Sequence, residues 1–324
     1  ITFDYRYDTG GFFAGDNIGR RLVLEEAARV YESRLLDRLD PIDPVDSDPG
    51  VVEGWRAEFT DPGTGDPAVI EDMHVPANTL IVFPGASDGA FDPEDLAKAS
   101  SKFSIENTTF SRNDVISRGG GEASGSLAVD YSGWGGSIRF RSAVDWFDSP
   151  PPGSVDSGKT DLYSTALHEL AHLLGIAVGT PSWENRMVAY DAEKVRYTGS
   201  RGLAVQGSQN LVFVELVDDE GQTRIGSHFW PDTLSKVVGT GVVQESALTD
   251  TLAPGFRRFL TELDLAALDD IGWDVAWPTS VDRAAMLKKI ANLQDAIKKA
   301  KKSGKAAKVR ALNKQLRALK RQLL

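Results

Sequence analysis

The feature that most constrains this chain is a short run, His-Glu-Leu-Ala-His, at residues 168–172. Residues i and i+4 of a helix share one face about a turn apart, so His168 and His172 can direct two imidazoles at one metal ion. Glu169 then lies beside that ion without having to ligate it. In this HExxH arrangement the imidazoles are zinc ligands, and the carboxylate deprotonates a water bound to the metal. The sequence therefore predicts a helix built around a zinc site.

The residues that flank the run favour a helix with defined ends. Thr160 or Asp161 can cap its start through a side-chain oxygen. Gly175 can end it in a left-handed turn. Apolar residues flank the histidines on the same segment: Leu162, Ala166, Leu170, Leu173 and Leu174.

Composition limits which groups can complete the site. The chain has 324 residues, four histidines and no cysteine, which excludes disulfides and zinc–thiolate sites and leaves His, Asp and Glu as metal ligands. No run approaches the roughly eighteen apolar residues of a membrane span. The chain begins at Ile1 without a recognisable signal peptide, so targeting information is expected to be absent or already removed.

Charge divides the chain into two predicted domains. Residues 281–324 carry 14 Lys and Arg against two Asp, a net charge of +12. Because the whole chain has a net charge of −11, residues 1–280 carry −23. Such a split marks a separate module. We therefore expect a metal-binding domain over residues 1–277 and a basic module over 281–324.

The basic module is predicted to be an antiparallel helical hairpin. Its apolar residues are spaced alternately by four and three, which is typical of a coiled-coil seam, and Ser303-Gly304 interrupts the pattern. Two short helices bury little apolar surface, so the hairpin is expected to dock on a partner. The acidic body of the same chain is the simplest partner, and an anionic cell surface or nucleic acid is the alternative.

The main body mixes predicted strands and helices, which indicates an α+β fold. A helix is predicted over 20–39, and a later one opens at Thr261, where Asp264 completes a capping box. The region 181–253 is expected to be rich in loops. Strands are predicted at residues 2–8, 55–59, 78–83, 135–141 and 211–217.

Two further features of the body allow alternative interpretations. The strand at 135–141 precedes the HExxH helix, and we expect it either to pair with an extended substrate along a free edge or to be an ordinary edge strand. The acidic loops at 40–48, 61–66 and 88–95 could bind Ca²⁺. None has the ligand spacing of a known calcium loop, so a solvated acidic surface is the favoured interpretation.

A catalytic zinc needs three protein ligands and one open position. Of the two remaining histidines, His74 precedes a predicted core strand, where a surface or packing role is the default. His228 lies in an irregular stretch beyond the HExxH helix, where a loop can bring its side chain under the metal. We therefore favour His228 as the third ligand.

Acidic residues are the rivals of His228. Glu184 and Glu193 lie at distances along the chain that suit a carboxylate ligand from a second helix. Gly175 argues against that arrangement, because a glycine three residues after His172 turns the chain sharply beneath the metal. For the oxyanion of a hydrolytic reaction, Tyr190 and Tyr197 are candidates, although a buried structural role is the more common one for tyrosine.

The run HELAHLLG at 168–175 resembles the metzincin clan of zinc peptidases. The common clan pattern places a third histidine three residues after the glycine, where this chain has Val178. The chain is more similar to secreted bacterial metzincin-like proteins, and distantly to leishmanolysin-type peptidases, in which the third histidine comes from a later segment. The resemblance covers 162–183, the SHFW around His228, 244–250 and 254–273. Leu248 stands where the resembled proteins have the methionine beneath the metal.

This resemblance implies a zinc-dependent endopeptidase, secreted or held at the cell envelope, that acts on protein or peptide substrates. His168, His172 and His228 would hold the zinc, and Glu169 would act as general base and then as general acid. The alternative is a catalytically weak metalloprotein that binds a surface through its basic hairpin. An intact Glu169 favours the enzyme, because metal retention alone does not require it.

Overall fold

A computed structural model shows a mixed α+β structure with several small sheets, which confirms the predicted class at that level. No helix among the described residues is long and apolar enough to cross a membrane. The structure describes residues 1–44, 54–89, 91, 95–105, 111–119, 130–207, 212–219 and 222–277, with isolated residues between 292 and 316.

Six α-helices occur in the described residues: α1 (Gly19–Glu32), α2 (Arg112–Ile116), α3 (Leu162–Leu173), α4 (Pro181–Glu184), α5 (Ser200–Gln206) and α6 (Glu262–Asp270). The prediction of a helix over 20–39 was too long, because α1 ends at Glu32 and Leu35 then bridges to Val275. Leu36 is 63% exposed and does not belong to the buried face. The capping box of Thr261 and Asp264 at the start of α6 is confirmed.

Fifteen strands occur in the same residues: β1 (Thr2–Phe3), β2 (Trp55–Thr60), β3 (Pro67–Glu71), β4 (Ile81–Ala86), β5 (Ala97–Ser100), β6 (Lys102–Ile105), β7 (Gly135–Phe140), β8 (Trp146–Phe147), β9 (Thr160–Asp161), β10 (Met187–Ala189), β11 (Lys194–Tyr197), β12 (Phe213–Asp219), β13 (Gln222–Phe229), β14 (Leu234–Lys236) and β15 (Val243–Glu245). The strand predicted at 55–59 is confirmed as β2. The strand predicted at 2–8 is short, since a 3₁₀ turn follows at Tyr5–Tyr7.

The sheet beside α3 has the order β1-β4-β7-β5, with β5 antiparallel to β7 and the other pairs parallel. The prediction that the strand at 135–141 lies at an edge was wrong, because β7 is internal and all six of its residues are buried. Its glycines permit this close packing: a Cβ on Gly135, which has φ +129°, would lie 1.9 Å from the carbonyl oxygen of Ile81. The edge strands are β1 and β5.

The prediction that the region 181–253 is rich in loops was wrong, because two further sheets lie within it. Strands β10, β11, β12 and β13 form an antiparallel sheet in that order, and β14 pairs with β15. The segment of β13 reads QTRIGSHF, in which apolar residues are too few to show a strand by alternation. The strand predicted at 211–217 is present as β12, at Phe213–Asp219.

Helix α3 lies at the centre of the core, where it packs against α1, β5 and β7. Tyr31 of α1 donates a hydrogen bond of 2.7 Å to the carbonyl of Leu167 in α3. Trp273, which follows α6, donates one of 2.8 Å to the carbonyl of Leu174. These buried contacts hold α3 from both sides, so its side chains are presented on a rigid support.

The predicted hairpin over 281–324 falls for the most part outside the described residues. Positions 292–294, 296–299, 302, 308, 312, 313 and 316 are helical. Antiparallel pairing of two helices, and the division of the chain into two domains, remain predictions.

Candidate metal centre

The start of α3 is fixed by Asp161, one of the two caps that the sequence allowed. Its carboxylate accepts hydrogen bonds from the backbone N–H of Ser164 at 3.1 Å and from the Ser164 hydroxyl at 2.6 Å. Arg257 forms a buried ion pair with the same carboxylate, with an N–O distance of 2.6 Å. One free backbone N–H of the first turn is thus capped and the carboxylate charge is paired, so the start of α3 is held firmly.

Three histidine side chains converge beside α3. The Nε2 atoms of His168 and His172 are 2.9 Å apart, and those of His168 and His228 are 3.1 Å apart. The third distance, from His228 to His172, is 3.2 Å. Tetrahedral zinc with nitrogen ligands at about 2.0–2.1 Å would place these atoms about 3.3 Å apart. The group can therefore hold one metal ion, and it is the one such cluster among the described residues.

Each imidazole is oriented by an oxygen behind it. The Nδ1 of His168 lies 2.8 Å from the carbonyl oxygen of Ala247, and that of His172 lies 2.7 Å from the carbonyl oxygen of Ile176. The Nδ1 of His228 lies 2.5 Å from Oε1 of Glu215. A proton on each Nδ1 leaves the Nε2 lone pair free toward the common point, as metal ligation requires.

Gly175 produces the turn that supports His172. Its φ of +107° is a left-handed conformation, as predicted, and a Cβ there would lie 2.3 Å from the ring of Tyr131. Its backbone N–H bonds the carbonyl of His172 at 3.0 Å. The turn brings the carbonyl of Ile176 back beneath the imidazole, so one glycine both ends the helix and orients a ligand.

His228 lies on β13 and not on a loop, which corrects the sequence-based expectation. The register between β12 and β13 shifts between Val214 and Leu216, so Glu215 occupies an irregularity in the ladder. A Cβ on Gly226 would lie 2.4 Å from Cγ of Glu215. The missing side chain at 226 therefore makes room for the carboxylate that faces His228.

The segment at 244–250 lies behind His168. Leu248 is 1% exposed, and its carbonyl accepts a hydrogen bond of 2.8 Å from the N–H of Phe229. Asp264 of α6 accepts hydrogen bonds from the Ser246 hydroxyl and, at 3.0 Å, from the N–H of Ala247. Asp264, the partner of Thr261 in the capping box of α6, thus also fixes Ala247, whose carbonyl orients His168.

Glu169 is buried beside the three histidines, with 5% of its surface exposed. Burial raises the pKa of its carboxyl to about 7, although the positive charge of His228 and a hydrogen bond from the backbone of Ala99 act in the opposite direction. A carboxyl with this pKa exchanges protons readily at neutral pH, which suits a general acid or base.

Burial also sets the protonation of the ligand group. It lowers the pKa of His172 to about 3, with a smaller contribution from the charge of His228, and it lowers the pKa of His168 well below the usual range. For His228, burial acts in the same direction, but the hydrogen bond and charge of Glu215 outweigh it and raise the pKa. Two of the imidazoles are therefore neutral at physiological pH, the form that binds a metal.

A cleft of about 570 Å³ opens over the histidines and Glu169. One wall is the edge strand β5. The lining also includes Glu215, Asp250 and Arg258. The Arg258 side chain is paired with Glu245 and donates to the Thr249 hydroxyl at 2.6 Å.

The remaining sequence candidates lie elsewhere. His74 is exposed, with Nε2 3.6 Å from Asp43. Glu184 accepts a hydrogen bond from the N–H of Gly179, and Glu193 is exposed; neither joins the histidine cluster. The two tyrosine candidates also fall outside the cleft lining. Tyr197 is fully buried, and its hydroxyl donates a hydrogen bond of 2.8 Å to Asp270. Tyr190 is 54% exposed.

The calcium prediction gains no support. Within the described residues, no acidic group forms a cluster that could hold a metal ion, and the loops at 40–48 and 88–95 lie partly outside those residues. In the loop at 61–66, the Asp61 carboxylate accepts a hydrogen bond of 2.8 Å from the N–H of Gly63 and so stabilises the turn itself.

Two features of the site were missed by sequence reasoning. Strand β5, with the sequence AKAS, lacks the residues that favour strands. Glu215 lay inside a predicted strand, but only the irregular pairing with β13 turns it toward His228. In the sequence, Gly226 of the facing segment was the available indication.

Comparisons with protein-family models, curated proteins and solved structures found no match for the chain.

Proposed function

We propose that this protein is a zinc-dependent endopeptidase of the metzincin type, secreted or held at the cell envelope. The observation that carries the proposal is the placement of Glu169, a buried carboxyl with a pKa of about 7, in the same cleft as three converging imidazole nitrogens. A structural metal site needs no such group, because it saturates the ion with protein ligands.

The donor set suits zinc. Three imidazoles that face one point leave a fourth tetrahedral position toward the cleft, which is the pattern of catalytic zinc. The chain offers no thiolate, and no further carboxylate joins the cluster in the described residues. His168, His172 and His228 would hold the ion.

Zinc bound there would polarise a substrate carbonyl and increase the acidity of water. Glu169 would accept the proton of the attacking water as general base. It would then deliver that proton to the departing amine as general acid. The pKa of about 7 lets the same carboxyl perform both transfers near neutral pH.

The substrate would bind as an extended peptide. Strand β5 is the last strand of its sheet, and Ala97, Lys98, Ala99 and Ser100 all line the cleft. An extended peptide can pair with the backbone of such an edge by strand addition, which holds any sequence through main-chain hydrogen bonds. From the sequence, this role was one of two alternatives for the strand at 135–141. In our proposal it belongs to β5.

The test is hydrolysis of casein and of a fluorogenic peptide library by the zinc-loaded protein beside Glu169→Gln. We expect the variant to lose about 10²–10⁴-fold in kcat/KM, the usual contribution of a general base. Its zinc content should equal that of the unchanged protein, which separates lost catalysis from lost metal. Equal turnover by the two proteins would remove Glu169 from the mechanism.

The surface-binding alternative depends on the basic hairpin over 281–324. We expect deletion of 281–324 to leave peptide hydrolysis intact while removing binding to an anionic surface. A deletion variant that loses folding would instead show that these residues belong to the body.

A further inference from the structure

We propose that Glu215 is a positioning residue of the metal centre, which holds the third imidazole in its ligating orientation and thereby strengthens metal binding. The proposal rests on the metal site of the proposed function, but not on peptide hydrolysis. It is carried by the contact between Oε1 of Glu215 and Nδ1 of His228 at 2.5 Å.

The three histidines are supported in two different ways. His168 and His172 are oriented by backbone carbonyls, those of Ala247 and Ile176, which lie in turns. His228 lies within β13, in the part of its pairing with β12 where the register is irregular. The acceptor for its Nδ1 is a side chain of the neighbouring strand, the carboxylate of Glu215, and not a backbone carbonyl.

The local structure is arranged to deliver this acceptor. The register shift lies on β13, where Gly226, Ser227 and His228 face the single residue Glu215 of β12, and such a bulge redirects side chains. Gly226 on the facing strand leaves the space that Cγ of Glu215 fills. Two separate features, an irregular ladder and a glycine, thus place one carboxylate behind one imidazole.

The contact is shielded from water. The side chains of Glu215 and His228 are 17% and 23% exposed, so little solvent is available to replace the hydrogen bond. Loss of the carboxylate would leave the Nδ1–H without its acceptor and would let the ring rotate away from the common point. Residues that support a metal ligand in this way typically change metal affinity by about 10- to 100-fold.

Asp250 supplies a matched control. It lines the same cleft and its charge acts on His228, as the charge of Glu215 does. Within the described residues, Glu215 is the carboxylate that is also hydrogen-bonded to that ring. Asp250→Asn therefore removes a nearby negative charge and leaves the hydrogen bond in place.

The experiment measures zinc affinity by competition with a chromophoric chelator for the full chain and for Glu215→Ala, Glu215→Gln and Asp250→Asn. We expect Glu215→Ala to weaken zinc binding by about 10- to 100-fold. Glu215→Gln, whose amide oxygen can still accept from Nδ1, should lose less, and Asp250→Asn should stay within about twofold. The visible spectrum of the cobalt-substituted protein should change in Glu215→Ala and not in Asp250→Asn.

The outcomes separate the proposed role of Glu215 from the proposed function of the protein. If the unchanged protein binds no zinc, the proposed function fails as well. If it binds zinc tightly and Glu215→Ala binds equally well, only the role of Glu215 is overturned. Losses in Asp250→Asn and Glu215→Gln that both equal the loss in Glu215→Ala would also overturn it, because charge alone would then explain the effect. Circular dichroism of the metal-free proteins checks folding; where Glu215→Ala does not fold, Glu215→Gln, which keeps the side-chain volume, decides.

Discussion

The metal centre joins two regions that are built differently: helix α3 and the strand pair β12–β13. Helix α3 supplies His168, Glu169 and His172 from one turn and a half of continuous chain. The strand pair supplies His228 and its partner Glu215, which come together only through the pairing of two strands.

The difference lies in what fixes each geometry. In α3 the spacing of the side chains follows from the helix itself. The carbonyl of Ile176 in the next turn orients His172, and that of Ala247, 79 residues along the chain, orients His168. In the strand pair, an irregular ladder and Gly226 are needed to aim a carboxylate at the ring. The helix therefore places its ligands by local structure, whereas the strand pair places its ligand by long-range packing.

The largest expected effect comes from removing one ligand of each region. We expect His172→Ala and His228→Ala each to weaken zinc binding by more than the roughly 100-fold that marks the upper range for supporting residues. The physical reason is the same, since each variant leaves two imidazoles for one ion. Isothermal titration of the metal-free proteins gives both values. Tight binding retained by His228→Ala alone would show that the strand pair is not part of the site.

The two glycines test the supports of the two regions. Gly175→Ala forces a side chain into a left-handed conformation and against Tyr131, so we expect a loss of about 2–5 kcal/mol in the free energy of unfolding. Gly226→Ala meets the Glu215 side chain and should cost about 1–3 kcal/mol. Urea denaturation of the metal-free proteins measures both. A smaller loss at 175 than at 226 would reverse our ranking of the two supports.

The buried Glu169 of α3 should make the stability of the metal-free protein depend on pH. Burial raises the pKa of Glu169 from its ordinary value of 4.5 to about 7, so the folded state binds more protons than the unfolded state between these pH values. The free energy of unfolding of the metal-free protein should therefore fall as pH rises from about 4.5 to 7, by about 3 kcal/mol. Glu169→Gln should lack this decrease and be the more stable protein at pH 8. Parallel urea titrations across this range check the sign; identical pH profiles would contradict it.

Sequence reasoning recovered the local parts of this structure. The helix around His168 and His172, the turn at Gly175 and the capping box at Thr261 follow from spacing, backbone freedom and short side-chain bonds, all of which act within a few residues. The convergence of His228 with the other two histidines also agrees with the sequence interpretation.

The parts that failed depend on contacts between distant segments. Strand β7 reads as an edge strand in isolation, and only its pairing with β4 and β5 makes it internal. The strand β13 has too little apolar alternation to be seen, because its place is set by β12. The acceptor role of Glu215 follows from the same pairing, so no local pattern contained it.

The most direct test of the central claim is anomalous diffraction at the zinc edge from a crystal of the zinc-loaded protein. We predict one peak about 2.0–2.1 Å from the Nε2 atoms of His168, His172 and His228, with the Glu169 carboxylate beside it but not bound to it. A peak held by His168 and His172 together with a ligand other than His228 would contradict the account.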